Sequence, residues 1–194
     1  MKVEKKYDLE QEPYYKKRAE VIVNLPNFWT TAFLAHPQLG TLVEEMDEPI
    51  FASLRSIDVE ISKTPAPVGK SDVKNFDYKI NFTFDENEYF ENKVLSKSFY
   101  RLGDEALSEN EEIKWKEGKK LVKEAKEIDE AGDISVGEPE SFFAWFSDHA
   151  DANNDEVADT IKDDLYMNAL SYYMNTVEED DTKDEIDLEE EDDE

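Results

Sequence analysis

The 194-residue chain carries 50 acidic and 22 basic side chains, which gives a formal net charge of −28 at pH 7. Such a charge repels nucleic-acid phosphates and anionic membranes, so direct wrapping of DNA is a poor hypothesis, and it attracts basic proteins or cations. The sequence contains no cysteine, which excludes disulfides, thiolate zinc sites and cysteine nucleophiles. The length predicts a single domain with a real hydrophobic core.

The N-terminal sequence MKVEKKYDLEQEP is charged and lacks the apolar segment of a signal peptide. No run of apolar residues approaches the roughly 20 residues that a membrane-spanning helix needs. We therefore expect a soluble protein of the nucleus and also of the cytoplasm, with no membrane partner.

Helices are predicted for the first quarter of the chain. The stripe of the first helix, residues 2–25, recurs at heptad-like spacing and comprises Val3, Tyr7, Tyr14, Val21 and Leu25. Pro13 predicts either a kink in this helix or a fresh start. Asn27 is placed to cap a second helix. A short helix is expected over residues 38–45 and another over residues 47–54.

The pattern changes near residue 55 from helical spacing to alternation of apolar and polar side chains, which is typical of half-buried strands. Strands are predicted over residues 57–61 and 76–84, and residues 89–100 are predicted to return as the second strand of a hairpin. A polar link then leads to a short strand at residues 113–115. Residues 119–137 are rich in Lys and Glu and are predicted to form an arm or hairpin.

Residues 138–156, EPESFFAWFSDHADANNDE, join an aromatic cluster to an acidic run. The cluster has helical spacing and is predicted to pack into the core; it comprises Phe142, Phe143, Trp145 and Phe146. We call residues 148–156 the acidic loop. No obvious cation lies beside its carboxylates in the sequence, so we expect a negatively charged surface held in place by the buried rings.

One more helix follows, with an apolar stripe formed by Val157, Ile161, Leu165 and Ala169. Residues 178–194 then carry thirteen Asp or Glu and one Lys, and so little apolar surface that we predict a disordered acidic tail. The order of helices, antiparallel sheet and helices predicts an α+β fold. Its parts are an N-terminal helix (1–25), a folded domain (26–177) and the tail (178–194).

The acidic loop resembles a calcium site only in part. Asp151, Asn153 and Asp155 match the first three ligand positions of an EF-hand, but Glu156 replaces the required glycine and Lys162 replaces the bidentate acid. This rejects an EF-hand. A weak, nonspecific site for divalent cations is a low-ranked alternative, and no metal or cofactor is predicted.

Enzymatic function is a minority hypothesis. Among 50 acidic residues some pair always lies close, so proximity in sequence does not identify a general acid and base. The sequence contains no nucleophile motif and no phosphate-binding glycine loop. The two histidines, His36 and His149, are expected to cap or pack rather than to catalyse. We therefore predict that the protein is not an enzyme, and we rank a carboxylate-dependent hydrolase far behind a protein that acts by binding.

Four long segments closely resemble the SET branch of the nucleosome assembly protein family, in the same order as in that family. They are LPNFWTTAFLAHPQL, NFDYKINFTFDENEYFENKVLSKSF, EEIKWKEGK and EPESFFAWFSDHADANNDEVADTIKDDL. The resemblance implies an N-terminal helix that dimerises antiparallel with its twin and an α/β "earmuff" domain. It also implies a chaperone that binds core histones and promotes nucleosome assembly and disassembly without ATP. An alternative implied role is inhibition of a serine/threonine phosphatase or of histone acetyltransferases by direct binding.

The resemblance assigns roles to particular positions. The histone contact on the underside of the earmuff corresponds to Ser147, Asp155 and Glu156, with Asp148 and Asp151 alongside.

The dimer contact corresponds to the first helix, with Tyr7, Tyr14 and Val21 on its stripe. The segment before Pro26 is shorter than the family's dimerisation helix, and the arm at 119–137 is less basic. A set of lysines is interpreted either as a basic strip for DNA or, preferably, as solvated strand faces: Lys93, Lys97, Lys114 and Lys116.

Overall fold

The computed structural model describes residues 2–62, 76–102, 105–121 and 141–175. The predicted acidic tail, the loop at 63–72 and most of the arm at 119–137 lie outside these ranges, as do the side chains of Val3 and Tyr7. Within these ranges, no helix combines the length and the apolar character needed to cross a bilayer.

Helices occupy both ends of the described chain, and strands occupy its middle. The N-terminal elements are α1 (Lys2–Ile22), α2 (Phe28–Ala35), a 3-10 turn (Gly40–Leu42) and α3 (Glu48–Phe51). The strands are β1 (Leu54–Ile61), β2 (Tyr78–Phe84), β3 (Val94–Leu102) and β4 (Glu105–Asn110). The C-terminal elements are α4 (Ala144–Ser147) and α5, which begins at Glu156–Thr160, widens into a π-helical turn at Ile161–Leu165 and continues through residues 166–175.

The N-terminal predictions need three corrections. Asn27 precedes α2, but its backbone is left-handed (φ 50°) and its side chain makes no capping hydrogen bond; only its carbonyl oxygen contributes, by accepting from the Thr31 N–H at 2.8 Å. Instead of a helix over 38–45 there is a single 3-10 turn. The next helix ends at Phe51, because Leu54 already belongs to β1. Helix α1 itself runs through Pro13 without interruption.

The four strands form one antiparallel sheet in the order β1-β2-β3-β4. Residues that lie opposite one another on paired strands point to the same face of the sheet. Ile57 lies opposite Phe82, and Phe82 lies opposite Leu95, so this face of the sheet is apolar. The returning strand begins at Val94 rather than at residue 89.

Two predictions about the second half of the sheet are wrong. Residues 105–110, predicted as a polar link, form β4, whereas the predicted strand at 113–115 is reduced to an isolated bridge between Phe90 and Trp115.

The aromatic cluster of residues 142–146 packs into the core, as predicted, where it covers the apolar face of the sheet. Phe143 and Phe146 are fully buried and Phe142 is 4% exposed. The Phe142 ring lies 5.2 Å from Phe33 and 6.0 Å from Phe82, so it joins α2 to the sheet. The rings therefore fix α4, and with it the start of the acidic loop, against the core.

Asp47 anchors the segment that enters α4. This carboxylate is fully buried and accepts hydrogen bonds from the Ser141 hydroxyl and from the backbone N–H groups of Phe142 (2.8 Å) and Glu44 (3.2 Å). Because a buried carboxylate needs such donors, the three bonds hold residues 141 and 142 against the start of α3.

His36 has the packing role that was predicted for it. Its ring is buried, and Nδ1 accepts from the N–H groups of Gln38 and Leu39, both at 3.2 Å. The other ring nitrogen therefore carries the proton and donates to Asp164 of α5 at 3.3 Å. The ring links the turn after α2 to the C-terminal helix.

Candidate functional site

The acidic loop connects the end of α4 to the start of α5. Its first residue, Asp148, closes α4 by donating its N–H to the Ala144 carbonyl at 3.1 Å. Ser147, Asp148, Asp151 and Glu156 are exposed, whereas Asp155 is not. All five residues of the predicted histone contact lie in the short segment 147–156, and the structure divides them into two environments.

The exposed carboxylates shape the loop through hydrogen bonds to its own backbone. Asp151 accepts from the N–H groups of Asn153 and Asn154, both at 3.2 Å, and from the Asn154 side chain at 2.9 Å. Asp148 accepts from the Ala150 N–H at 3.0 Å. The Asn154 side-chain hydrogen bond is the main cause that lowers the pKa of Asp151. The Asp151 charge is therefore retained while its position is fixed.

Asp155 holds the other end of the loop from the inside. Its carboxylate caps α5 by accepting from the Ala158 N–H at 2.9 Å. It also accepts from the indole N–H of Trp145 at 2.9 Å and from the Lys97 ammonium at 2.8 Å. Only 11% of its side chain is exposed. The expectation that the loop carboxylates have no cation beside them is wrong for Asp155.

Lys97 lies in the middle of β3 with its side chain on the core face of the sheet. The side chain is fully buried, and its ammonium donates to Asp155 and, at 2.9 Å, to the Trp145 carbonyl. It also lies 4.5 Å from the centre of the Trp145 ring, which adds a cation–π contact. Lys97 therefore belongs to neither an exposed basic strip nor a solvated strand face.

The other three lysines of the predicted strip lie apart from Lys97, on loops. Lys93 and Lys114 are exposed, and the Lys116 ammonium donates to the Asn87 carbonyl at 2.6 Å. The sequence did contain the signal for Lys97, because it alternates with the apolar Leu95 and Phe99 and so shares their face.

His149 fastens the middle of the loop to the edge strand β4. Nδ1 lies 2.7 Å from the Ser108 hydroxyl and Nε2 lies 2.9 Å from the side-chain oxygen of Asn110. This geometry fits a neutral ring that accepts from Ser108 and donates to Asn110. Burial, followed by the nearby Lys97 charge, lowers the pKa of His149. The loop is thus held at three points, by α4, by β4 and by Asp155.

Negative charge continues from the loop along the outer side of α5. Glu156, Asp159 and Asp163 recur at helical spacing and are all exposed. Partial desolvation, reinforced by the charges of Asp163 and Asp155 and opposed by that of Lys162, raises the pKa of Asp159. Burial and the charges of Asp159, Asp155 and Asp163 likewise raise the pKa of Tyr78. The local potential is therefore negative, which favours a cationic partner. Asp159 and Asp163 were absent from the sequence-based site, although their spacing with Glu156 was a readable signal.

The loop does not collect its carboxylates around one point. Asp155 is committed to Lys97, Trp145 and the α5 cap, and Asp151 is committed to the turn that it stabilises. In the part of the chain that the structure describes, no three His, Asp or Glu side chains are grouped so as to hold a metal ion.

The first helix presents part of its predicted stripe to solvent. Tyr14 is 71% and Val21 is 68% exposed, while the Tyr7 side chain lies outside the described residues. The neighbouring Tyr15 and Arg18 face inward instead, and the Arg18 guanidinium lies 4.7 Å from the ring centres of both Tyr15 and Tyr166.

Comparison with known proteins identifies the family. The protein-family model "Nucleosome assembly protein (NAP)" matches residues 23–191. The chain belongs to the nucleosome assembly protein family. Protein SET of Drosophila melanogaster is 43% identical over 183 residues, which cover 90% of this chain and 64% of that protein. NAP1-related protein 1 of Arabidopsis thaliana is 42% identical over 189 residues, which cover 93% of this chain and 70% of that protein.

The fold is that of the family as well. The crystal structure of the Vps75 histone chaperone matches with a TM-score of 0.65 at 18% identity, over 92% of this chain and 90% of that chain. The predicted family and the predicted α+β fold are confirmed. The chain spans less than two thirds of the length of Protein SET.

Proposed function

We propose that the protein is a non-enzymatic histone chaperone that binds core histones through the exposed carboxylates of the acidic loop. The observation that carries this proposal is a negatively charged loop whose shape is fixed by its own hydrogen bonds. Among the residues that the structure describes, no lysine or arginine forms an ion pair with its exposed carboxylates Asp148, Asp151 and Glu156. Family membership and the printed name of Vps75 as a histone chaperone support the choice of partner.

The mechanism is electrostatic competition and requires no ATP. Asp148, Asp151 and Glu156 pair with histone lysines and arginines that would otherwise bind DNA phosphates nonspecifically. Charge of this kind mainly raises the association rate and selects the partner. Because it is screened over about 8–10 Å at physiological salt, the loop must come into contact with the histone. Assembly then proceeds when DNA displaces the chaperone, and disassembly is the reverse exchange.

The setting of this activity follows from the partner. We propose that the protein works on chromatin in the nucleus and meets newly made histones in the cytoplasm, with DNA engaged only indirectly. Inhibition of a phosphatase or an acetyltransferase stays a prediction of the family resemblance.

The proposal is tested by neutralising the exposed loop carboxylates together, as Asp148→Asn, Asp151→Asn and Glu156→Gln. Each exposed ion pair contributes roughly 0.2–1 kcal/mol, so the triple variant is expected to raise the Kd for purified core histones about tenfold. Binding is measured by fluorescence anisotropy at physiological salt.

The matched control removes the same number of charges from exposed positions outside the loop, as Glu20→Gln, Glu45→Gln and Glu60→Gln. This control should change the Kd by less than about twofold, because the three glutamates lie outside the acidic loop and salt screens the effect of net charge. Equal weakening by both triple variants would mean that net charge alone governs binding and that the loop is not the site.

A further inference from the structure

The Lys97–Asp155 pair is buried, unlike the other carboxylates of the loop. The ammonium and the carboxylate lie 2.8 Å apart, with 0% and 11% of the two side chains exposed. A histone side chain cannot replace Lys97 as the partner of Asp155 without opening the core between β3 and α5. The charge of Asp155 is thus already neutralised inside the domain.

The pair connects three elements through one tryptophan. Lys97 of β3 donates to the Trp145 carbonyl, and Asp155 at the start of α5 accepts from the Trp145 indole N–H. Residues 148–154, which include the exposed Asp148 and Asp151, therefore lie between Trp145 and Asp155, and Glu156 follows Asp155 directly. The Asp155 end of this segment is held by hydrogen bonds to Trp145 and Ala158, and Lys97 supplies the counter-charge that keeps the carboxylate in that site.

Neither member is stable in this position alone. Removing one partner of a buried ion pair leaves an uncompensated charge in a poorly solvated site, whereas neutralising both partners at similar volume is often harmless. A displaced Asp155 would also release the Ala158 and Trp145 N–H groups that it now accepts from. Loss of the cap and of the indole bond would release the loop from its attachment at the start of α5.

We propose that Asp155 is a positioning residue for histone binding: paired with Lys97, it sets the geometry of the exposed loop carboxylates and does not contact the histone itself. This inference rests on the proposed function of the loop. Preorganised groups bind more tightly because they do not lose conformational freedom on binding.

The first test is Lys97→Met, which keeps most of the side-chain volume and makes the protein more acidic. If charge alone mattered, this variant would bind core histones more tightly. We expect the opposite, a Kd that rises about tenfold, because the unpaired Asp155 leaves its site and the loop loses its anchor. Tighter binding would overturn the inference.

The second test compares Asp155→Asn with the double variant Lys97→Met/Asp155→Asn. Asparagine can still cap α5 and accept from Trp145, but in the single variant it leaves Lys97 buried without a counter-charge. We expect the single variant to bind about tenfold more weakly and the double variant to return to within about twofold of the wild type. A direct contact by Asp155 predicts that the double variant stays as weak as Asp155→Asn, and that result would refute positioning.

Hydrogen exchange at Ala158 reports on the position of Asp155 independently of the affinity for histones. The Ala158 N–H, which donates to Asp155, should exchange with solvent faster in Lys97→Met and at the wild-type rate in the double variant. Unchanged exchange in Lys97→Met would also overturn the inference. As a matched control, Lys97→Met should not rescue Asp151→Asn, because Asp151 is exposed and makes no contact with Lys97.

These outcomes separate the two proposals. If the triple variant of the exposed carboxylates weakens binding but the Lys97/Asp155 double variant does not recover, the loop is the site and the positioning role is wrong. If the triple variant leaves binding unchanged, the proposed function of the loop fails, whatever the double variant does.

Discussion

Asp151 and Asp155 occupy opposite environments within one loop. Asp151 is exposed and organises the turn around it, whereas Asp155 is enclosed by Lys97, Trp145 and the first turn of α5. Substituting either residue is therefore expected to weaken histone binding for a different reason. At Asp151 a surface charge is lost, and at Asp155 the support of the surface is lost.

His149 makes the stability of the loop depend on pH. Burial, with a contribution from Lys97, lowers its pKa in the folded state below the ordinary value of 6.5. The unfolded chain therefore binds the proton more readily, so the contribution of His149 to stability is complete above pH 6.5 and is lost as pH falls through the lowered pKa. We expect the free energy of unfolding to decrease between about pH 7.5 and 5.5, a range in which most carboxylates do not titrate.

The variant His149→Gln tests this prediction. Glutamine keeps hydrogen-bonding capacity toward β4 but does not titrate, so the decrease in unfolding free energy over this pH range should become smaller. Urea denaturation at several pH values measures it. A pH dependence identical to that of the wild type would show that another group is responsible.

At the level of elements, periodicity predicted the parts of the fold that rest on side-chain burial. The alternation around Phe82 and the helical spacing of Phe142 to Phe146 both lead to buried faces in the structure. Strand β4 was missed because EALSEN has little apolar content and is held at the sheet edge by pairing with β3. The Asn27 cap was predicted wrongly because composition does not reveal a left-handed backbone.

At the site, too, the face on which a residue lies could be predicted from the sequence, whereas its partner in the tertiary structure could not. Every residue of the acidic loop could be read from the sequence. In strand β3, the alternation of residues also indicates that Lys97 shares a face with Leu95 and Phe99. The sequence did not reveal which carboxylate pairs with Lys97, because the packing of α4 and α5 on the sheet brings Asp155 to it. A contact between residues 58 positions apart in sequence depends on the tertiary fold.

Helix α1 presents an apolar stripe that we propose as its dimer contact. Tyr14 and Val21 lie seven residues apart and are both mostly exposed, while Tyr15 and Arg18 pack toward α5. We expect Val21→Glu to yield a monomer of 22.5 kDa at concentrations at which the wild type scatters light as a dimer.

The control for this prediction is Ala19→Glu, which adds the same charge two residues away. Two residues turn a helix by about 200°, so Ala19 faces away from Val21, and this variant should remain dimeric. A wild-type protein that is already monomeric would refute pairing through α1.

On the scale of the whole molecule, negative charge is divided between the folded domain and residues 178–194. The latter segment has thirteen acidic residues and one lysine. We propose that the domain supplies specific contacts and that the tail increases the rate of encounter with histones. Such steering is sensitive to salt because it acts through long-range charge.

The most direct test of the account is the affinity of core histones for the intact protein and for residues 1–177, each with and without the triple substitution of Asp148, Asp151 and Glu156. We expect the shortened protein to associate more slowly and with a weaker dependence on salt, yet to keep measurable specific binding that the triple substitution reduces about tenfold. Loss of all histone binding with the tail would contradict a specific site in the folded domain, because that domain would then only carry the tail.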